Sequence, residues 1–328
     1  MKAVIYTKYG SPDVLEFKDV AQPEPKDNEV LVKIYATTVS PVDCTFRKGS
    51  PFIARLYTGF IRPKNSILGT ELAGKIETVG KDVTRFQPGD KIFASTDGHG
   101  AYGAYVCLPE DGVLAKIPAN MTYDEAAAIC NGALTALPFL RDEGRIHSGQ
   151  KVLINGASGS IGTFAVQLAK NFGADVTGVC SGANVEMVTS LGANRVIDYT
   201  KADFTNGGEA FDIIFDTVGK SSFSRCKGVL TLNGVYLSPV LTLGTLLQMV
   251  WTSIIGSKKA KFAATGMRTP GDQAQDLTFL THLLEQGKIK PIIDRRYPLT
   301  EIAEAHRYVD QGHKKGNVVI TMKHDDNT

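Results

Sequence analysis

Lys151–Gly162, reading KVLINGASGSIG, is the stretch that decides the fold. Val152, Leu153 and Ile154 form a short apolar run of the kind a buried parallel strand needs. A turn of small residues follows, after which Ile161, Phe164, Ala165, Leu168, Ala169 and Phe172 recur at helical spacing. Gly173 stands where a helix-ending glycine would. Strand, Gly-rich turn and helix in this order make a dinucleotide site. The turn admits backbone N–H groups to a pyrophosphate, and the helix N-terminus adds partial positive charge. Ala157, Gly159 and Gly162 occupy the three glycine places of G-x-G-x-x-G. Alanine serves at the first place as long as its φ stays below zero. Ser158, Gly159, Ser160 and Ile161 are the residues expected at the phosphates.

The form of the cofactor should show at the end of the next strand, Asp175–Cys180. Ser181, Gly182, Ala183 and Asn184 follow it, and no Asp or Glu lies between Asp175 and Glu186. A carboxylate there would accept from a ribose 2′-hydroxyl and repel a 2′-phosphate, since juxtaposed like charges cost on the order of several kcal/mol. Without that barrier the sequence favours NADPH. No Arg or Lys lies between Asp175 and Arg195, so Ser181, Asn184, Tyr199, Lys314 and Lys315 are the candidates to hold the phosphate.

Outward from this core, 328 residues suit two domains or one large one. A net charge of +2 gives no reason to expect nucleic acid as a main partner. The five cysteines show no CxxC pair and no metal-like spacing, so they read as reduced thiols of a cytoplasmic protein. MKAVIYTKYG begins like a strand and lacks the apolar core of a signal peptide. Leu237–Ile255 is the most apolar run, but Pro239, Gly244 and Gln248 interrupt it. A pocket-lining or subunit-contact helix is expected there, and no membrane span.

Up to about Tyr123 short strands alternate with Gly and Pro: Ala3–Tyr6, Val30–Ala36, Leu72–Val79, Lys91–Ala94 and Ala104–Cys107. No helical stretch of convincing length interrupts them, so an all-β, barrel-like domain is expected. Thr122-Tyr-Asp-Glu125 is a capping box opening an Ala-rich helix. From there strands at Val152–Ile154, Val176–Cys180, Arg195–Tyr199, Phe211–Val218, Gly234–Leu237 and Lys261–Ala264 alternate with helices. That is the α/β pattern of a doubly wound parallel sheet, a Rossmann fold. The domains expected are 125–266 for the nucleotide and 1–124 with 267–328 for the substrate. The tail holds one amphipathic helix around Ala274–Gln286 and a final strand, Asn317–Met322, able to return to the first domain.

With the β domain first, the chain resembles the medium-chain dehydrogenase/reductase family over nearly its whole length. The resemblance rests on KAVIYTKYGSPDVLEF, GTELAGKIETVGKDVTRFQPGDKIFA, VLINGASGSIGTFAVQLAK, RVIDYT, FDIIFDTVG and HKKGNVVI. It implies a GroES-like barrel for the first domain and is nearest the zinc-free quinone oxidoreductases and enone reductases. The Cys, His and Cys that hold catalytic zinc in the alcohol dehydrogenases align with Ser40, Thr70 and Asn131, none a good zinc ligand. The four-Cys structural lobe is missing too, so no metal is expected.

Without a Lewis acid the expected substrate is one that needs little polarisation, a quinone or an α,β-unsaturated carbonyl. Hydride adds to a conjugated carbon, and the enolate oxygen needs only a hydrogen-bond donor. The tyrosine common in quinone reductases aligns here with Thr45. Ser40, Asp43, Thr45 and Arg47 are candidates for the substrate end, with Asp43 pairing structurally to Arg47 as the plainer reading; no catalytic acid or base stands out. The resemblance implies Ser181 and Tyr199 at the adenosine end, and Thr135 and Asn131 near the nicotinamide. Val218 and Ser238 follow strands whose carboxyl ends face the crevice. His99 reads as a surface-loop residue, and His306 and His313 as solvated. A homodimer is expected through the last strand of the nucleotide domain. The alternatives are alcohol–aldehyde interconversion and a non-catalytic NADPH-binding protein.

Overall fold

A computed structural model describes residues 1–96, 98–240, 243–263, 265 and 268–324. From the N-terminus run β1 (Lys2–Ile5), β2 (Glu16–Asp19), β3 (Glu29–Val39), α1 (Pro41–Lys48), α2 (Ala54–Thr58) and β4 (Glu71–Val79). Next are β5 (Lys91–Ser95), β6 (Tyr105–Pro109), β7 (Leu114–Lys116), α3 (Tyr123–Ala127) and α4 (Cys130–Pro138). Then come β8 (Lys151–Asn155), α5 (Ser160–Asn171), β9 (Asp175–Cys180), α6 (Val185–Ser190), β10 (Arg195–Asp198) and β11 (Phe211–Asp216). α7 (Phe223–Cys226), β12 (Leu230–Leu237), α8 (Leu243–Ile254) and β13 (Lys259–Lys261) follow. The tail holds α9 (Pro270–Glu285), β14 (Ile293–Pro298), α10 (Ile302–Asp310) and β15 (Asn317–Thr321).

Two units result. One comprises Gly132–Arg268 with Gln286–Lys290. Its six strands are all parallel, in the order β10-β9-β8-β11-β12-β13. Counted from β8, that is 3-2-1-4-5-6, the Rossmann order, with its switch point between β8 and β11. Val152, Leu153 and Ile154 are fully buried, as strands covered on both faces require. α5 buries every residue from Gly162 to Ala169, caps on Phe172, and turns at Gly173 with φ +80°.

The other unit comprises Met1–Asn131, Thr269–Glu285 and Pro291–Thr328. Its main sheet runs β14-β15-β3-β4-β5-β7, with β6 also on β3. Val30, Val32, Ile34 and Ala36 all point into the core. β15 returns antiparallel to β3, Val318 opposite Val39. The unit is the GroES-like domain, though not all-β. α1 is an eight-residue helix, capped by a reciprocal Ser40–Asp43 box, begun by Pro41 and ended by Gly49 in the left-handed region. Two turns are too few for periodicity to register, but Ser-x-x-Asp with a glycine at the far end was a readable signal.

The capping box at Thr122 forms, yet α3 belongs to the β unit instead of opening the nucleotide unit. Ala126 and Ala127 are fully buried, and their small side chains let the helix lie close on β3 and β4. The boundary therefore falls after Asn131, and the expected limit at Met267 lies outside the described residues. The tail carries β14 and α10 in addition to the single helix expected. The last nucleotide-domain strand is β13, not Lys261–Ala264, and Ala264 is outside the described residues. Among the described residues, no helix is long and apolar enough to cross a membrane.

Candidate active site: a dinucleotide cradle and a buried polar cluster

The cradle lies at the carboxyl end of β8. Gly156, at φ +81°, makes the reversal, so Ala157 stays at negative φ and its methyl is buried without strain. Gly159 caps α5, and Gly162 lies so close to the turn that an added Cβ would stand 2.1 Å from the Gly156 carbonyl oxygen. A Cβ on Gly159 would meet only that oxygen, at 3.5 Å, which leaves its outer side open. The first turn of α5 presents N–H groups that no earlier helical carbonyl can take. Ser158, Gly159, Ser160 and Ile161 thus form a concave, positively polarised cradle that fits a pyrophosphate.

Ser181 follows β9, and its Oγ accepts from Asn184 Nδ2 at 3.0 Å. Tyr199 follows β10, its N–H bonded to the Cys180 carbonyl at 3.1 Å and its ring 61% exposed. Both therefore stand at the carboxyl ends of adjacent strands. A carboxylate that scanning β9 alone overlooked stands there too. Asp198, opposite Cys180 in register, has Oδ2 only 2.7 Å from where a Cβ on Gly182 would sit. Its Oδ1 accepts from the Thr200 N–H (3.0 Å) and hydroxyl (2.7 Å), and these bonds hold its carboxyl below the usual range. Lys314 and Lys315 belong to the other unit.

Asp216, at the end of β11, was also missed. It is fully buried and accepts five hydrogen bonds. Oδ1 takes Asn155 Nδ2 (3.0 Å), Gly219 N–H (3.0 Å) and Val218 N–H (3.4 Å). Oδ2 takes Ser221 N–H (2.8 Å) and the Tyr236 hydroxyl (2.9 Å). One carboxylate so ties β8, β12 and the loop carrying Val218 together at the switch point. Ser238, at the end of β12, is buried, with its Oγ accepting from Val240 N–H at 3.2 Å. Thr135 lies on α4 and is half-buried.

In the β unit, the residues aligned with the zinc ligands come together as a hydrogen-bonded cluster. Asp43 Oδ2 accepts from Ser40 N–H (2.8 Å), Ser40 Oγ (2.6 Å) and Thr70 Oγ1 (3.3 Å). Thr70 Oγ1 in turn accepts from Asn131 Nδ2 at 3.0 Å. Glu71 accepts from Thr38 Oγ1 (2.5 Å) and Asn131 N–H (2.7 Å). Asp43 and Glu71 are buried to within 1% of full cover, and burial pushes their carboxyls up to about 6 and about 7. Asn131 thus stands in this cluster, on the β-unit side of the boundary. Among the described residues no group of His, Cys, Asp and Glu is arranged to hold a metal.

Two expectations are overturned. Arg47 is fully buried and pairs with Asp310 Oδ2 at 2.7 Å, not with Asp43, so it is not exposed to substrate. The helix places Arg47 four residues after Asp43, but α10 brings a better partner from 263 residues away. His306 is not solvated: it is fully buried, its Nδ1 3.4 Å from Cys44 Sγ. Burial, with Arg47 nearby, lowers its imidazole to about 3, so it is neutral. Thr45 is half-buried on α1, and His99 and His313 are exposed.

Residues 26–119 match the alcohol dehydrogenase GroES-like domain family, and residues 191–320 the zinc-binding dehydrogenase family. The chloroplast envelope quinone oxidoreductase homolog of Arabidopsis thaliana is 32% identical over 98% of both chains. The 2-methylene-furan-3-one reductase of Solanum lycopersicum is 32% identical over 98% of this chain and 79% of its own. Among solved structures, Escherichia coli quinone oxidoreductase complexed with NADPH superposes with TM-score 0.83 at 26% identity, covering 98% of this chain and 100% of that one. With its GroES-like unit, its Rossmann unit and these relatives, the chain belongs to the medium-chain dehydrogenase/reductase family, in the quinone and enone oxidoreductase branch.

Proposed function

We propose that the chain reduces quinones or α,β-unsaturated carbonyls with hydride from NADPH, without zinc. The observation that carries this reading is the cluster around Thr70. Where the zinc-dependent relatives need thiolate and imidazole, Ser40, Thr70 and Asn131 present two hydroxyls that donate to Asp43 and an amide that donates to Thr70. That donor set does not fit zinc, and the substrate assigned is therefore one whose conjugated carbonyl is reactive without a metal Lewis acid.

The bound nicotinamide supplies the hydride; the protein binds and orients. α5 and its glycine turn take the pyrophosphate, while Ser181 and Tyr199 stand at the ribose end without a carboxylate on the β9 loop. Asp198 stands at the end of the neighbouring strand with its Oδ1 engaged by Thr200, and the preference for the 2′-phosphate rests on the β9 loop. The printed names of the relatives, quinone oxidoreductase and furanone reductase, support the same substrate class. The test is loss of reduced-nicotinamide absorbance with a panel of quinones, enones and simple alcohols. Turnover on quinones or enones is expected. Tight NADPH binding without turnover on any of them would instead favour a non-catalytic binder.

Two further parts of the reading concern assembly and setting. β13 is one of the two edge strands of the described sheet, β10 being the other. Beside it, α8 turns Leu247, Val250, Trp251 and Ile254 outward, each more than 60% exposed, while Thr252 faces in. That inverted helix and open edge support a homodimer, to be checked by sedimentation. The five cysteines are all unpaired, which supports a reducing, cytoplasmic setting.

A further inference from the structure

The β unit carries a second apolar surface, far in sequence from α8. Between residues 52 and 61, around α2, six large apolar side chains stand in solvent. Phe52, Leu56, Tyr57 and Phe60 are 56–62% exposed, Ile53 is 65% and Ile61 is 88%. Exposures this high describe side chains that project outward, since the walls of a groove would shade one another. A protein core gains nothing from this arrangement, and a contiguous apolar patch of this kind marks a contact surface.

The projection is braced from beneath. The Tyr9 hydroxyl bonds to Thr58 Oγ1 at 2.8 Å and to the Gly59 carbonyl at 2.5 Å. Arg55 Nε donates to the Gly49 carbonyl at 2.9 Å, and its guanidinium covers the rings of Tyr9 (4.7 Å) and Phe52 (5.6 Å). Phe52 and Phe60 meet edge to face, with centroids 5.1 Å apart. The apolar tip is thus held in place before any partner arrives, and little ordering remains to oppose binding.

The charge around the tip selects the partner. Between Asp43 and Glu71 the sequence has Arg47, Lys48, Arg55, Arg62 and Lys64 and no acidic residue. Arg47 and Lys48 share Asp310 as their ion-pair partner, while Arg62 and Lys64 are exposed just after Ile61. Projecting Phe, Ile, Leu and Tyr with a basic flank is the pattern of an interfacial anchor, apolar groups entering the acyl boundary and cations meeting headgroups.

We propose that residues 52–64 dock the protein on an anionic lipid surface. The proposal does not depend on the reaction catalysed. It places the β unit of a quinone or enone reductase where lipophilic substrates are concentrated.

The full-length protein is tested by co-sedimentation with vesicles of phosphatidylcholine alone or mixed with phosphatidylglycerol. Binding is expected to the mixed vesicles, weakening with salt. The double variant Phe60→Ser/Ile61→Ser should lower partitioning at least about tenfold. Arg62→Glu/Lys64→Glu should abolish the preference for the anionic vesicles, with NADPH binding in solution unchanged in both variants. Trp251, the sole tryptophan, sits on α8 and reports the alternative. Its emission should stay unshifted on vesicle binding. Three results would each overturn the proposal: no binding by the wild type, a blue shift of Trp251 with binding retained by Phe60→Ser/Ile61→Ser, or a smaller particle mass for that variant. The last would assign the patch to a second copy of this chain.

Discussion

Asp216 and Glu71 are both buried carboxylates, one in each unit, and their surroundings differ. Asp216 collects five donors, three on one oxygen and two on the other. Glu71 has one donor on each oxygen, and Asp43 has three on Oδ2 and none on Oδ1. Donors to the charged form offset the cost of burying it. Asp216 is therefore built as a fixed joint of the switch-point loop. Asp43 and Glu71 are pushed toward neutrality and can exchange protons near physiological pH.

The largest expected effect breaks the fixed joint. Asp216→Ala strands two buried donors, Asn155 Nδ2 and the Tyr236 hydroxyl, each costing about 1–3 kcal/mol when left buried, and releases three part-buried N–H groups of the loop after β11. Unfolding of the nucleotide unit by urea should lose at least about 3 kcal/mol, and NADPH binding should fall with it. A loss under about 1 kcal/mol would show that the loop does not depend on this carboxylate.

The titratable site gives the next effect. Its carboxyls are raised, so the folded chain holds their protons more tightly than the unfolded chain does. That contribution is complete below the ordinary values of 3.8 and 4.5, and is lost as pH rises through about 6 for Asp43 and about 7 for Glu71. His306 has the opposite sign: its contribution is present above 6.5 and disappears as pH falls toward about 3. Comparison with Glu71→Gln cancels the other groups. From about pH 5 to 7, wild type should lose stability relative to the variant by up to about 1.4 kcal/mol per pH unit. Parallel stability curves would contradict this account of Glu71.

Ser181→Asp sharpens the contrast at the exposed end of the nucleotide unit. It should lower kcat/KM for NADPH about tenfold or more and leave NADH less affected. A wild-type preference for NADH would remove the 2′-phosphate from this loop. The smallest effect belongs to the Thr70 cluster: chelators should leave activity unchanged and elemental analysis should find no stoichiometric zinc. One zinc per chain would overturn the reading of Ser40, Thr70 and Asn131, and revive alcohol–aldehyde interconversion.

The nucleotide unit was legible because its signals are local. KVLING, the small-residue turn and the following helix sit within about twenty residues, and strand–helix alternation repeats with a regular period. The β unit was legible as strands, but α1 was lost among them because two helical turns carry almost no periodicity. Asp198 escapes a reading of β9 alone, because the sheet places the end of β10 beside it. His306 was misjudged because a histidine on an amphipathic helix reads as solvated until a second element covers it.

The sequence by itself determined the order of elements, the glycine turn, the absence of an acid on the β9 loop and the loss of zinc-type ligands at Ser40, Thr70 and Asn131. These depend on residue type and short spacing, which backbone sterics and side-chain chemistry translate directly into structure. Tertiary structure alone decided that Arg47 pairs with Asp310, that His306 meets Cys44, and that Asp216 gathers its donors from three strand ends. It also decided that α8 and residues 52–61 turn apolar faces outward. Burial and pairing between residues up to 263 positions apart follow from how the sheets and helices close on one another. No local pattern encodes that distance.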